Sequence, residues 1–182
     1  FTFSRGSNLA ATRVNKSGLI EKGRENLLYP SNDFSGYQKY SSTITSGEEG
    51  YDGTNDAWLI SFNAAATAAI RYPSMVLTGV ETYSIYIKAG SHNFIQLLTT
   101  PNSFIYANFD ILNGVKGNTG SETIDSSITS VGNGWFRISI TANFGNDTLF
   151  IYCIDSNTSG RASAVSSSGT YFIQDAQLEQ DL

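Results

Sequence analysis

Cysteine is almost absent from this sequence: Cys153 stands alone among 182 residues, so no intrachain disulfide can form. It lies in the apolar run Leu149-Phe150-Ile151-Tyr152-Cys153-Ile154, where it reads as a small buried hydrophobe. Histidine is as scarce. His92 is the one copy, set in the turn Gly90-Ser91-His92-Asn93, and it is expected to be exposed and untuned. A nucleophile paired with histidine therefore has almost nothing to draw on. Charge is thin as well, at 15% of the chain against roughly 25% in average globular domains. Serine, threonine, asparagine and glycine must dress the surface, which suits short strands with polar turns and not long charged helices. No run approaches the roughly 18 apolar residues of a membrane span, and no secretory signal pattern is present. Membrane insertion is not expected. The net charge of −5 withholds the basic footprint that phosphate neutralisation needs, so nucleic acid is not an expected partner. The chain begins on Phe1, not Met, and is expected to be part of something longer.

What is present points to one domain, since 182 residues can bury a core without disulfide or metal staples. Residues 1–23 are polar and relatively basic, and read as an extended N-terminal arm with a turn at Lys16-Ser17-Gly18. Residues 24–182 read as strand and turn. Apolar runs occur at Asp56–Phe62, Thr67–Tyr72, Thr82–Ala89, Asn93–Thr99, Phe104–Leu112, Trp135–Phe144, Thr148–Ile154 and Thr170–Leu178. Turn clusters separate them at Thr45–Asn55, Gly90–Asn93, Thr100–Ser103, Asn113–Gly120, Val131–Gly134, Gly145–Asp147 and Asp155–Gly160. Short strands at this spacing predict an all-β fold, an antiparallel sandwich or barrel. The alanine-rich stretch Phe62–Ile70 is the best candidate for a short turn of helix, with a plain strand as its other reading.

Strand parity then sorts the faces. Tyr83, Ile85 and Ile87 face one way, and Ser84, Tyr86 and Lys88 the other. Phe136, Ile138 and Ile140 oppose Trp135, Arg137 and Ser139. Ile105, Ala107 and Phe109 oppose Phe104, Tyr106 and Asn108. Leu149, Ile151 and Cys153 oppose Phe150, Tyr152 and Ile154. The second set mixes flat rings with hydrogen-bonding groups. Sugars need this mixture, because their C–H faces stack on aromatics and their hydroxyls need donors and acceptors. Tyr86, Lys88, Gln96, Tyr106, Asn108, Trp135, Arg137 and Tyr152 are the candidate carbohydrate-binding residues. The alternative is that the same rings cover a second sheet or a subunit contact.

Several motifs resemble a family. Asn26-Leu27-Leu28-Tyr29-Pro30-Ser31-Asn32-Asp33-Phe34 is similar to "NLL-x-x-S-x-x-F", Tyr51–Trp58 to "PDGTxTA", and Thr82–Gly90 to "YTFSVYVKAG". Gly132–Arg137 is similar to "GNGWYR", and Tyr171–Glu179 to a closing "GAQLEEG". Together they resemble the carbohydrate-binding-module-like domain of bacteriophage virion proteins, over about residues 24–180. The arm, from Phe1-Thr2-Phe3-Ser4-Arg5 to Gly18-Leu19-Ile20-Glu21, resembles the lead-in to such modules. The resemblance implies a jelly roll on a tail or fibre protein exposed at the virion surface. It also implies a homo-oligomer, often a trimer, with other virion chains and a bacterial surface glycan as partners. The alternative within that family is a purely structural assembly domain.

The acidic loop Glu48–Asp56 offers hard oxygen ligands of the kind calcium takes, without EF-hand spacing. The resemblance implies a structural calcium between such a loop and an acid in the last strand, which makes Asp52, Asp56 and Asp175 the candidate metal residues. Their other reading is turn capping. Glu81, Asp110, Asp125 and Asp175 are possible acids, but none sits in a distinctive motif, and a glycosidase needs a matched pair. No catalytic residue and no enzyme activity are expected.

Overall fold

The computed structural model describes residues 12–14, 18, 20–22, 26–72, 79–145 and 148–180. The parts of the arm outside that set, Phe1 to Ala11 in particular, lie outside the described residues. Within the set, the arm carries a short antiparallel hairpin, β1 (Thr12–Val14) with β2 (Ile20–Lys22), pairing Arg13 with Glu21.

The main body is an antiparallel β-sandwich of the jelly-roll kind, and the described residues hold no helix. One sheet contains β3 (Gln38–Tyr40), β6 (Ala69–Arg71), β8 (Phe94–Thr100), β9 (Tyr106–Asp110), β10 (Val115–Thr119) and β13 (Thr148–Cys153). Its order is β10-β9-β8-β13-β6-β3, and we call it the first sheet. The second sheet contains β4 (Ser42–Glu48), β5 (Ala57–Phe62), β7 (Glu81–Ala89), β11 (Asp125–Gly132), β12 (Trp135–Ala142) and β14 (Gly169–Gln180). Its order is β11-β12-β7-β14-β5-β4.

The inner faces follow the alternation in the sequence. Tyr83, Ile85 and Ile87 from β7, with Ile138 and Ile140 from β12, meet Ile95 and Leu97 from β8, Ala107 and Phe109 from β9, and Leu149, Ile151 and Cys153 from β13. Each fully buried Ile, Leu or Phe contributes roughly 1.5–3 kcal/mol of transfer free energy. Leu28 and Phe34 join this core from the segment before β3. A smaller apolar cluster lies outside the first sheet, where Leu98, Phe150, Tyr152 and Ile154 pack with Tyr40, Phe94 and Tyr106.

Three expectations need correction, and a fourth is decided between its two readings. The cluster Thr45–Asn55 is a turn only in its second half, because Ser42–Glu48 pairs with β5 as an edge strand. Asn113–Gly120 likewise contains the edge strand β10. Of the two readings of Phe62–Ile70, the structure takes the extended one and not the helical one: its middle forms a bridge, Ala65 to Val165, and its end enters β6. His92 is buried at 7% exposure. Its ring stands edge-on to Phe62 at 4.8 Å, its Nε2 bonds the Phe94 carbonyl at 2.8 Å, and burial lowers its pKa.

Two of the motifs meet at one place. β14 bulges between Gln174 and Gln177, and Asp175 takes a left-handed conformation there, φ +47°. A bulge leaves backbone groups unpaired, and the Asn26–Phe34 segment supplies their partners. The Asn26 amide donates to the Ala176 carbonyl and its oxygen accepts from the Leu178 N–H. The Asn32 oxygen accepts from the Asp175 N–H. The opening and closing motifs are thus two halves of one clasp.

Candidate functional site

Antiparallel register lays out the outer face of the second sheet as rows. One row runs Thr129, Arg137, Tyr86, Gln174, and the next runs Ser127, Ser139, Ser84, Gln177. A third runs Asp125, Thr141, Thr82, Glu179. Alternation alone puts all these side chains outside, because their neighbours fill the core. Small hydroxyl residues in the middle rows leave a groove of about 470 Å³, lined by Ser84, Ser127, Ser139 and Thr129, with Arg137 at its floor.

Arg137 is held from two sides. One terminal nitrogen donates to Ser84 Oγ at 2.9 Å and also to Gln177 Oε1. Its guanidinium carbon lies 5.7 Å from the centre of the Tyr86 ring, a cation–π contact. Tyr51 stacks on Tyr86 at 3.8 Å and 13°. Tyr51 thus covers one face of the Tyr86 ring, which itself lines the groove, and its hydroxyl donates to Asp175 Oδ2. Burial, with the stacked Tyr86 beside it, raises the Tyr51 pKa, so the phenol stays neutral.

Gln174 fixes the loop that brings Tyr51 there. It is fully buried, and its Oε1 accepts the Tyr51 backbone N–H at 2.9 Å. A backbone N–H can only donate, so the amide nitrogen must face the other way. It donates to Asp56 Oδ1 at 2.7 Å and Asp52 Oδ1 at 3.2 Å. Thr54 Oγ1 sits between the same two carboxylates, and its bonds lower the Asp52 pKa. Asp175 is raised instead, by burial first and then by its acidic neighbours Asp56 and Asp52.

The calcium expectation falls on these same residues. Asp52 and Asp56 meet at the Gln174 side chain, which presents an N–H donor where a cation would need oxygen, and Asp175 accepts from the Tyr51 hydroxyl instead. Among the described residues no three His, Cys, Asp or Glu side chains form a metal-ligand group. The donor set as arranged does not fit calcium; the Gln174 amide makes the cross-link between the acidic loop and the last strand.

The eight candidate sugar residues do not share a surface. Tyr86, Lys88, Trp135 and Arg137 belong to the outer face of the second sheet. Gln96, Tyr106, Asn108 and Tyr152 belong to the outer face of the first, on the far side of the sandwich. Several are also covered. Trp135 is 1% exposed, with Tyr51 edge-on at 6.5 Å. Lys88 is half-buried, with its chain 3.7 Å from where a Cβ on Gly134 would stand.

Gln96 and Asn108 are structural. The Gln96 amide donates to Asn108 Oδ1 at 2.6 Å and to the Gly160 carbonyl, and its oxygen accepts from the Ala162 N–H. Asn108 donates to the carbonyls of Asn157 and Ser159. Both amides hold the 155–163 loop down. Tyr152 is buried and donates to the Ala66 carbonyl at 3.2 Å.

Sequence reasoning missed Tyr51 and Gln174 as site residues. A turn residue and a strand residue 123 positions apart in the chain give no local signal of meeting. The groove carries one carboxylate, Glu179, where glycoside hydrolysis uses two. Glu81 and Asp110 are buried: Glu81 accepts the Phe144 N–H, and Asp110 caps the turn at Leu112 and Asn113.

No family model matches the sequence, and no curated protein matches it. Solved structures do. One is the CBM22-1–GH10 portion of xylanase 10B from Clostridium thermocellum, complexed with xylohexaose: TM-score 0.50 and 16% identity over 87% of this chain and 28% of that one. Another is TmCBM61 in complex with β-1,4-galactotriose, with TM-score 0.39 and 13% identity over 86% of this chain and 99% of that one. The chain thus spans about a quarter of the xylanase structure's length (28%), and it has the β-sandwich fold found among carbohydrate-binding modules.

Proposed function

We propose that this domain is a non-catalytic glycan-binding module, and that the groove over Arg137 is where the sugar lies. The observation that carries the reading is the groove itself, an open sheet face that brings together a guanidinium, a set of hydroxyls and the Tyr86 ring, against which Tyr51 stacks. A saccharide offers hydroxyls to the first two and a C–H face to the third. The xylanase structure, whose carbohydrate-binding and catalytic modules are together complexed with xylohexaose, supports the class of ligand. The resemblance to phage virion modules supports a setting: attachment of a virion, as a tail or fibre component, to bacterial surface polysaccharide. The arm at residues 1–23 supports a homo-oligomer, in which weak sites would gain avidity from one another.

Titration with purified host polysaccharide and a panel of neutral oligosaccharides tests the site. Arg137→Ala and Tyr51→Ala should each weaken binding by about tenfold or more. Tyr106→Ala, on the other sheet, should leave it unchanged. Binding that ignores both groove variants would remove the assignment.

A second reading, a chain-to-chain assembly surface, is favoured by exposed apolar residues around β9–β11: Phe104, Leu112 and Ile124 are each more than half exposed. Size in solution, with and without the arm, separates the two. A monomer in both states counts against assembly.

A further inference from the structure

Arg137 is a cation whose protein partners carry no charge. Ser84 Oγ and Gln177 Oε1 are both neutral acceptors, and both take their hydrogen bonds from one terminal nitrogen, Nη2. That nitrogen has two hydrogens, so both are used. Of the guanidinium's five N–H groups, those on Nε and Nη1 remain. Neither nitrogen is among the polar atoms sealed from solvent without a partner, whereas the Nε atoms of Arg71 and Arg161 are. Ser84 and Tyr86 both line the groove. The guanidinium bonds the first and lies 5.7 Å from the ring centre of the second, which places it among the lining groups.

No carboxylate of the described residues pairs with this cation. The acid that lines the groove, Glu179, is two strands and two rows from Arg137. At about 4.8 Å per strand and 6.8 Å per row, their backbones are roughly 17 Å apart. Asp125 stands in the same far row. Asp52 and Asp56 bond Gln174, and Asp175 bonds Tyr51. Proteins normally pair a charge that they withdraw from water, and Arg137 is half-buried. Acids are not in short supply, since the chain has 16 against 11 bases. The side chain is also held in place by Ser84, Gln177 and the Tyr86 ring, so a ligand would not have to order it.

We propose that the groove selects glycans carrying an anionic group, a sugar carboxylate or phosphate, and that this group sits on Arg137. The proposal rests on the glycan-binding reading of the groove and adds the class of sugar. The anion supplies the charged acceptor that the guanidinium lacks, in a hydrogen bond stronger than one to a neutral hydroxyl. Thr129 and Ser139, which line the groove beside Arg137, take the ring hydroxyls. Gln177 is a positioning residue: its oxygen orients the guanidinium without neutralising it. A glutamate there would keep the hydrogen bond and cancel the charge.

The test uses the full chain with trigalacturonate and galactose 6-phosphate as anionic probes. Galactotriose and galactose are their neutral counterparts, and inorganic phosphate is tried alone. Titration calorimetry gives affinity and amide chemical shifts give location. The expected result is at least about tenfold tighter binding of an anionic probe than of its counterpart, with shifts at Ser84 and Ser139 and a preference that shrinks as salt is raised. The pair with the larger ratio tells carboxylate from phosphate. Arg137→Gln should abolish the preference, with thermal unfolding to check that the variant folds. Gln177→Glu leaves the guanidinium in place and should abolish the preference to the same extent, while melting no lower than the parent. Equal affinity for anionic and neutral probes overturns the anionic class, as does a preference that survives Gln177→Glu. In either case neutral-sugar binding with shifts in the groove leaves the glycan-binding reading standing. Inorganic phosphate bound as tightly as galactose 6-phosphate would reduce the site to a bare anion contact and overturn the sugar. If no probe binds at millimolar concentration, the anionic class falls, and titration with host polysaccharide decides the groove separately.

Discussion

At Asp175 burial raises the carboxyl pKa, and the neighbouring Asp56 and Asp52 add to it, against the lowering effect of the Tyr51 hydrogen bond. The folded state therefore holds this proton more tightly than the unfolded chain does. Its stability contribution is present at low pH and is lost as pH rises through the carboxylate range. Asp175→Asn removes that titration, keeps an acceptor for Tyr51, and suits the left-handed backbone at this position. The variant should melt higher than the parent at neutral pH, and the gap should close on acidification, as followed by thermal unfolding across pH. Gln96 makes the contrasting case of a residue read as a sugar ligand that proves to be an anchor. Gln96→Ala leaves the Ala162 N–H and the Asn108 oxygen without this partner. It should cost about 2–4 kcal/mol of stability, measured by denaturant unfolding, and should not change sugar affinity at the groove.

The loop between β4 and β5 is the element on which the groove depends. Its path is set by Gln174 from the far end of the chain, and Gly50 leaves the room that Gln174 needs. A Cβ at Gly50 would lie 2.2 Å from Gln174 Oε1, a contact no side chain tolerates. Gly50→Ala should displace Tyr51 from Tyr86 and weaken groove binding by about tenfold, with only a modest loss of melting temperature, because the core strands are untouched. Oligosaccharide titration beside a melting curve checks both halves. The edge strands β10 and β11 are the elements least legible in the sequence. Val115–Thr119 and Asp125–Gly132 are largely polar and glycine-containing, and at an edge, with one side solvated, no apolar alternation is demanded of them.

Across the whole molecule, the acidic loop is tied to the last strand by the Gln174 amide and by the Tyr51–Asp175 hydrogen bond, and neither contact calls for a cation. Melting temperature should therefore be the same in millimolar calcium and in excess chelator. A clear rise with calcium would mean that the Asp52, Asp56 and Asp175 carboxylates rearrange around a cation and that Gln174 gives way.

The amino-acid sequence by itself determined the all-β class, the inward faces of β7, β9, β12 and β13, and the burial of Cys153. Those features follow from local alternation of apolar and polar residues, which any strand must display if one side is to be buried. It also displayed the motifs at Asn26–Phe34 and Tyr171–Glu179, though not that they clasp each other across the β14 bulge. Only the tertiary structure decided which outward residues are neighbours. Parity says that Tyr86 and Tyr106 both point away from the core, but not that they leave it on opposite sides. Nor could parity reveal that Gln96, Asn108 and Trp135 are roofed by loops, or that Tyr51 is carried onto Tyr86. Sheet assignment and loop packing are long-range choices, made by contacts between residues far apart in the chain, and no local pattern encodes them.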